Sequence, residues 1–458
     1  MTRKQKTVLF LICAILFLLS SAFMVLYSQG FRVDIANGKI TQTGAFYFKV
    51  LPKNAQVFLD DKFKRKTDFF FSASLLEGLL PQKYNVKIKK EGYFTWEKNL
   101  EVKNNEVTEA KNIILIKEHL DFSSLLSGAK QLFFPTNESK IIFLEEQPSS
   151  WELKLYDLNT NIKSHLIKAT DIGKKDVKFT NLTILSGNRL LLETTLKNEK
   201  KYFLINAGEN PAALIALDFL GKNPERIELL PGDQQKLLFL NKGNINEGDL
   251  TKKTIGEIFK GPVGAFTVSD NQVYILTKDG HLYKTSTNFS EPKKLNELPF
   301  AMDDKQEYAI YVIMDRILIK SGGDLYLFNK DNQKPDKLID KNAQLVPSPD
   351  LEKIAYSSEF EIWILFLKDQ SNQPLRKAEE KVFLTRFSEK ISNIFWLSSN
   401  YLIFNVDGKI KVAEIDDRDR INIVDIANSD NQNMYFSQFD KKLYTLKEEN
   451  LLASEPLW

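Results

Sequence analysis

VPSPDLEKIAYSSEFEIWIL, residues 346–365, holds a compact pattern: a short strand, a polar turn at Ser348-Pro349-Asp350, an apolar strand at Ile354-Ala355-Tyr356, a second turn and a third strand. Pro and Asp punctuate turns, and β-branched and aromatic residues fill strands. The question this stretch raises is whether it stands alone or recurs.

It recurs. Looser versions begin at Phe133 (FFPTNESKIIFLEE), Leu182 (LTILSGNRLLLETT), Leu229 (LLPGDQQKLLFLNK), Phe266 (FTVSDNQVYILTKDGHLYK), Val312 (VIMDRILIKSGGDLYLF), Phe395 (FWLSSNYLIFNVDGKIKVAEI) and Phe436 (FSQFDKKLYTLKEENLL), with starts 34 to 49 residues apart. That is the period of a four-stranded propeller blade. One blade cannot bury both of its faces, so blades stack in a ring that leaves only short edges. Eight starts fit seven or eight blades over 119–458, with an upstream strand such as NIILIKE (112–118) expected to complete the last one. The 346–365 stretch resembles the Ser-Pro-Asp-x-x-x-x-Ile-Ala-Tyr blade of periplasmic Tol-system propellers and their WD-repeat-like relatives. Ser348, Pro349, Asp350, Ile354, Ala355, Tyr356, Ile362 and Trp363 carry that likeness.

Upstream, residues 44–118 alternate differently. In QVFLDDK, Val57 and Leu59 share one face; in KYNVKIKKEGY, Tyr84, Val86 and Ile88 do; in NLEVKN, Leu100 and Val102 do. Period two with polar partners predicts strands with one buried face, in a small antiparallel β domain of about 70 residues. Pro52, Ala55, Asp60, Leu80, Pro81, Tyr84, Gly92 and Tyr93 resemble the PEGA-domain pattern of bacterial envelope and surface-layer-type proteins. Asp61 and Gln82 stand where that pattern has Gly, and the Thr-Pro after the basic loop is missing. The resemblance implies a sandwich-like spacer or interaction module outside the membrane, not a catalyst. The aromatic cluster of EGYFTWEKNLEV (91–102) then reads as core and rim packing.

The first thirty residues are of another kind. Arg3, Lys4 and Lys6 precede an uncharged apolar run from Val8 to Tyr27, long enough to cross a ~30 Å hydrocarbon core as a helix. Cations on the N-terminal side predict a cytoplasmic tail (1–6), a transmembrane helix (7–27) and a single-pass protein with its bulk outside. A cleaved signal peptide, cut near Ser20-Ser21-Ala22, is the competing reading; the apolar run is longer than the 7–15 residues usual there. Residues 28–43, punctuated by Gly30 and Gly38 with a turn at ANGK, read as a stalk. Cys13, the one cysteine, lies in the span, which leaves the exported part without disulfide or thiolate chemistry.

Composition bounds the function. With 43% hydrophobic and 27% charged residues the chain is globular. Residues 32–118 carry 16 Lys/Arg against 11 Asp/Glu, and 119–458 carry 44 against 49. That balance suits a juxtamembrane part near anionic headgroups and excludes a nucleic-acid binder, which needs a much stronger basic bias. His119, His165 and His281 are too scattered for a zinc site, and no P-loop, Gly-x-Ser-x-Gly or His-Glu-x-x-His occurs. Neither cofactor nor metal is expected. The pairs Asp60–Asp61, Asp303–Asp304 and Asp416–Asp417 read as turn residues, and EIDDRDRINI (414–423) lacks the alternating ligands of an EF-hand loop.

Candidate surface contacts are Lys62, Lys64, Arg65 and Lys66, the densest basic run, for anionic lipid or wall polymer, and Trp151 at a loop edge. Trp363, inside an alternating strand, reads as inter-blade packing. The expectation is a membrane-anchored, non-enzymatic scaffold whose propeller face holds an envelope protein, peptide or glycan. The alternatives are an envelope glycan hydrolase or lyase with acidic residues in the channel, and a structural spacer.

Overall fold

A computed structural model describes residues 3–34, 38–135, 139–148, 150–173, 176–185, 188–209, 211–221, 223–341, 343–428 and 434–458. The turns expected at ANGK (36–39) and PTNES (135–139) fall partly outside these residues. Helix α1, Arg3–Ser28, contains a 24-residue apolar stretch, Gln5–Ser28, whose most apolar part is not buried by protein. It is long and apolar enough to span a membrane, and a signal sequence would pass the same test.

A hairpin follows where a stalk is expected: β1 (Phe31–Asp34) pairs with β2 (Lys39–Gln42). Gly30 makes the corner at a φ of 85°, and Thr43 bonds back to its carbonyl through both backbone and hydroxyl.

The next seven strands form two facing sheets. β6 (Ala73–Leu79), β3 (Gly44–Leu51) and β9 (Val107–Ile114) make one; β5 (Lys62–Lys66), β4 (Gln56–Leu59), β7 (Lys83–Lys89) and β8 (Trp96–Glu101) make the other. Phe46, Phe48, Val57, Leu59, Val86, Ile88, Trp96 and Leu100 share one core between them, as the period-two pattern predicts. One pairing differs from the antiparallel expectation. β3 and β9 run parallel, because the chain crosses through the whole second sheet before β9 returns beside β3. The β4–β5 turn puts Asp60 and Asp61 at φ 49° and 61°, a two-residue hairpin of the twist that suits paired strands.

NIILIKE does not close the ring. Its alternate residues face two ways: Ile113 and Leu115 enter the sandwich core, while Ile114 and Ile116 pack against the propeller. A segment buried on both faces is continuously apolar for that reason and mimics a central strand.

The remainder is a β-propeller of eight four-stranded sheets among the described residues. Blade 1 runs from Gln131 to Lys168, blade 2 from Val177 to Ala216, blade 3 from Arg226 to Phe259 and blade 4 from Val263 to Lys294. Blade 5 runs from Tyr308 to Ile339, blade 6 from Gln344 to Arg386 and blade 7 from Ile391 to Asn428. Blade 8 takes three strands from the C-terminus, Met434–Phe436, Leu443–Lys447 and Asn450–Ser454, and its fourth from upstream, Phe122–Ser127. All eight sequence starts fall in the first strand of a blade. Each junction between neighbours has its own apolar cluster, including that between blades 8 and 1, where Leu126, Tyr444 and Leu451 meet Ile141, Phe143 and Tyr156. The ring is therefore closed. Second strands such as Lys236–Asn241 are buried on both faces, which is why they read as unbroken apolar runs.

Candidate binding cavity and interdomain seam

First strands line the middle of the ring, and on the side of blades 2 to 5 they border a cavity of about 1500 Å³. Its wall carries Glu228, Thr267, Ala309 and Tyr311; its mouth is the 302–308 loop before blade 5. That loop is built. The Asp303 amide donates to the Tyr308 hydroxyl (2.7 Å), and the Asp303 carboxylate accepts from the Lys305 amide (2.9 Å). Asp303–Asp304 is thus a turn pair, as its sequence suggests, but one at the rim of a large cavity. Among the described residues, six carboxylates line the space (Glu193, Glu225, Glu228, Asp303, Asp304, Glu307) against three cations (Arg226, Lys278, Lys320). Glu228 is held by Arg226 at 2.6 Å. The surplus gives the cavity a negative potential, focused by its low-dielectric walls.

A second polar assembly joins the sandwich to the propeller. Lys98 lies on β8 in phase with Trp96 and Leu100, facing inward, and is 0% exposed. Its ammonium pairs with Glu414 at 2.7 Å and donates to the carbonyls of Asp416 (2.7 Å), Arg418 (3.0 Å) and Arg420 (2.6 Å). The 414–423 loop, which lacks the spacing for a metal, wraps a lysine instead. Three N–H donors are shared among four acceptors, so the buried charge is fully solvated by protein. Glu414 also accepts from Trp96 Nε1 (2.7 Å) and from the Asn422 amide and side chain (3.0 and 2.7 Å). Burial pushes its carboxyl above the ordinary range, against the pull of Lys98. Around this centre, Asn99 donates to Asp419, Arg418 to the Glu109 carbonyl, and the Ile114 amide to the Tyr401 hydroxyl. The Asn99 amide holds the Asp419 carboxyl below its usual value. The aromatic cluster of 91–102 is accordingly a binding face as well as a core, with its partner in the same chain. A cleft of about 200 Å³ beside it is bordered by charges already matched in pairs, such as Lys353 with Asp350 and Arg418 with Asp416.

Of the residues singled out from sequence, Lys62, Lys64, Arg65 and Lys66 are all exposed on β5, far along the sheet from Lys98. Trp151 is a correction: it is 4% exposed, its Nε1 donates to the Val177 carbonyl at 2.9 Å, and its ring meets Phe179 edge-on. It stitches blade 1 to blade 2, because a strand edge beside a loop becomes interior once the next blade stacks on it. Trp396 makes the same stitch to Val346, and Trp363 packs with Tyr356 and Phe383. Asp416 and Asp417 pair with Arg418 and Arg376. His165 bonds Glu152 at the blade 1 surface. Among the described residues, no three His, Cys, Asp or Glu gather closely enough to hold a metal. The cavity and the lysine seam were both missed from sequence. For the seam, the available signal was a charged residue in the apolar phase of a strand.

No protein-family model and no curated protein matches the sequence. Solved structures similar in fold include the computationally designed Ika8 protein (14% identity, 71% of this chain and 96% of that one, TM-score 0.45). BamB from Moraxella catarrhalis is another (12% identity, 73% and 99% coverage, TM-score 0.44). The Myceliophteria_thermophila Cps50 (Swd1) β-propeller domain is a third (10% identity, 73% and 99% coverage, TM-score 0.42).

Proposed function

We propose that the protein is a membrane-anchored, extracytoplasmic, non-enzymatic binding scaffold. In this reading α1 stays in the bilayer with its cations on the cytoplasmic side. The sandwich, with its PEGA-like strand and turn residues, is a spacer, and the propeller cavity takes a segment of an envelope protein. The observation that carries the reading is the 1500 Å³ cavity with its carboxylate surplus, set on rigid strands. Its size suits a peptide segment or loop more than a small metabolite. Its charge favours a segment bearing Lys or Arg. Among the described residues Tyr308 and Tyr311 are its only aromatic walls, which favours peptide over glycan, since sugars stack on aromatic faces.

Photocrosslinking from full-length chain in its native membranes tests this. A photoreactive residue at Val268 or Ala309, on the cavity wall, is expected to capture a discrete partner that a residue at Ile255, on the outermost strand of blade 3, does not. The triple variant E228Q/D303N/D304N is expected to weaken that capture. Equal capture from Ile255, or none from the cavity, overturns the reading. Release of reducing ends from wall polysaccharide would favour the hydrolase alternative instead.

A further inference from the structure

The sandwich turns two unlike edges outward. β8 and β9 carry the propeller seam; β5 and β6, at the far edges of their sheets, carry none of it. Between β5 and β6 runs a loop whose Phe69, Phe70 and Phe71 are 61%, 80% and 75% exposed. The loop is fixed nonetheless. The Asp68 carboxylate accepts the amides of Phe71 (2.5 Å) and Ala73 (2.8 Å), and buried Thr67 is bonded to Ala55. Phe69 and Phe70 stack edge-to-face, with the Lys53 ammonium 4.8 Å from the Phe69 ring centre.

The strand leading into this loop, β5, is strongly basic and exposed along its length. Among the described residues Lys62, Lys64, Arg65 and Lys66 are in no ion pair, while three nearby acids are occupied: Asp60 by the Asn85 amide, Asp61 by Lys87, Asp68 by its own loop. Glu77, exposed on β6, is a further carboxylate of this edge outside an ion pair, against four such cations. The Arg65 guanidinium ties the two edges together by donating to the Leu75 carbonyl (2.8 Å). The hairpin leaving α1 lies on this side too. Arg32 stands over the Tyr27 ring at the helix end and reaches to 4.0 Å from where a β-carbon on Gly78 of β6 would stand.

We propose that this edge seats on an anionic lipid surface, the three phenyl rings entering the headgroup region and Lys53, Lys62, Lys64, Arg65 and Lys66 pairing with lipid phosphates or carboxylates. The proposal rests on α1 remaining in the bilayer. Free cations next to fixed, exposed aromatic rings are complementary to an anionic interface. Tethering by α1 makes the contact intramolecular, so a weak site suffices. Each cation near such a surface contributes about a five-fold gain in partitioning. The sandwich then lies with its strands along the membrane, between the bilayer and the propeller.

The test uses the full chain in lipid nanodiscs, zwitterionic or anionic, each containing lipid brominated near the interface. F70W adds one reporter to the five native Trp residues, whose signal is subtracted with the parent chain. The expected result is loss of the added emission in anionic discs only, reversed by high salt and by K62E/K64E/R65E/K66E. No quenching in anionic discs by a chain that stays disc-bound overturns the proposal and leaves the anchor standing. Equal quenching in both lipids overturns its anionic character. Protection from acrylamide without bromolipid quenching marks a protein occupant and also overturns it. Should the chain leave the discs, the anchor reading falls and this proposal falls with it.

Discussion

Lys98 is the residue on which the joint between the two folded parts depends. An ammonium removed from water is stable only while Glu414 and three carbonyls surround it. K98M keeps the stem and deletes the charge, leaving Glu414 buried without its cation. We expect a loss of about 3–5 kcal/mol from the joined unit, seen as a lower denaturant midpoint of the full chain. E414Q preserves neutral hydrogen bonding and is expected to lose as much or less. Equal stability of K98M and the parent chain would remove the seam from the account. Asp68 gives a second prediction at this scale. Its folded pKa is lowered, first by the Phe71 amide, so its contribution to loop order is full above the ordinary aspartate value of about 4 and lost as pH falls through the lowered one. The protection of the Phe71 and Ala73 amides against exchange, taken relative to their intrinsic rates at each pH, is expected to fall over that acid range, and D68N to show reduced protection at neutral pH. Lys98 could have been noticed in the sequence, being in step with Trp96 and Leu100. What surrounds it lies more than 300 residues downstream, and no local pattern announces that.

Among elements, the strand Phe122–Ser127 closes the ring by pairing with Asn450–Ser454. Removing residues 443–458 is expected to unpair it, expose the facing sides of blades 7 and 1, and make the propeller rapidly cleavable in limited proteolysis. A truncated chain as resistant as the parent would mean the closure carries little stability. The blades themselves were legible because each repeats one physical problem, a sheet with two faces to bury, and solves it with a polar first turn and an apolar second strand. Phe122–Ser127 was not, since FSSLLS has three serines in six residues and only Leu126 of it is fully buried. NIILIKE took its place in the reading because burial between two cores looks, in one dimension, like burial inside a sheet. Trp151 misled in the same way: its neighbours in sequence are polar, and its neighbours in space belong to the next blade.

For the whole molecule, the cavity, the ring, the seam, the sandwich and α1 form a series, which under the proposed function would run from binding face to membrane. If α1 is retained, the mature protein begins at or near Met1, resists carbonate extraction, and loses its C-terminal part to protease added to spheroplasts. A mature N-terminus near Phe23, or a protected propeller, would reverse the anchoring. The cavity was not legible in sequence at all, because its walls come from four blades spread over residues 183–322, each supplying only a few side chains.

The loop over 414–423 holds its positive charge on the polypeptide rather than borrowing one from solution. Chelators have nothing to extract there, dilution cannot empty it, and swings in external calcium or magnesium leave it filled. The two folded parts are thereby kept in one fixed relation, whatever the mineral content of the surroundings.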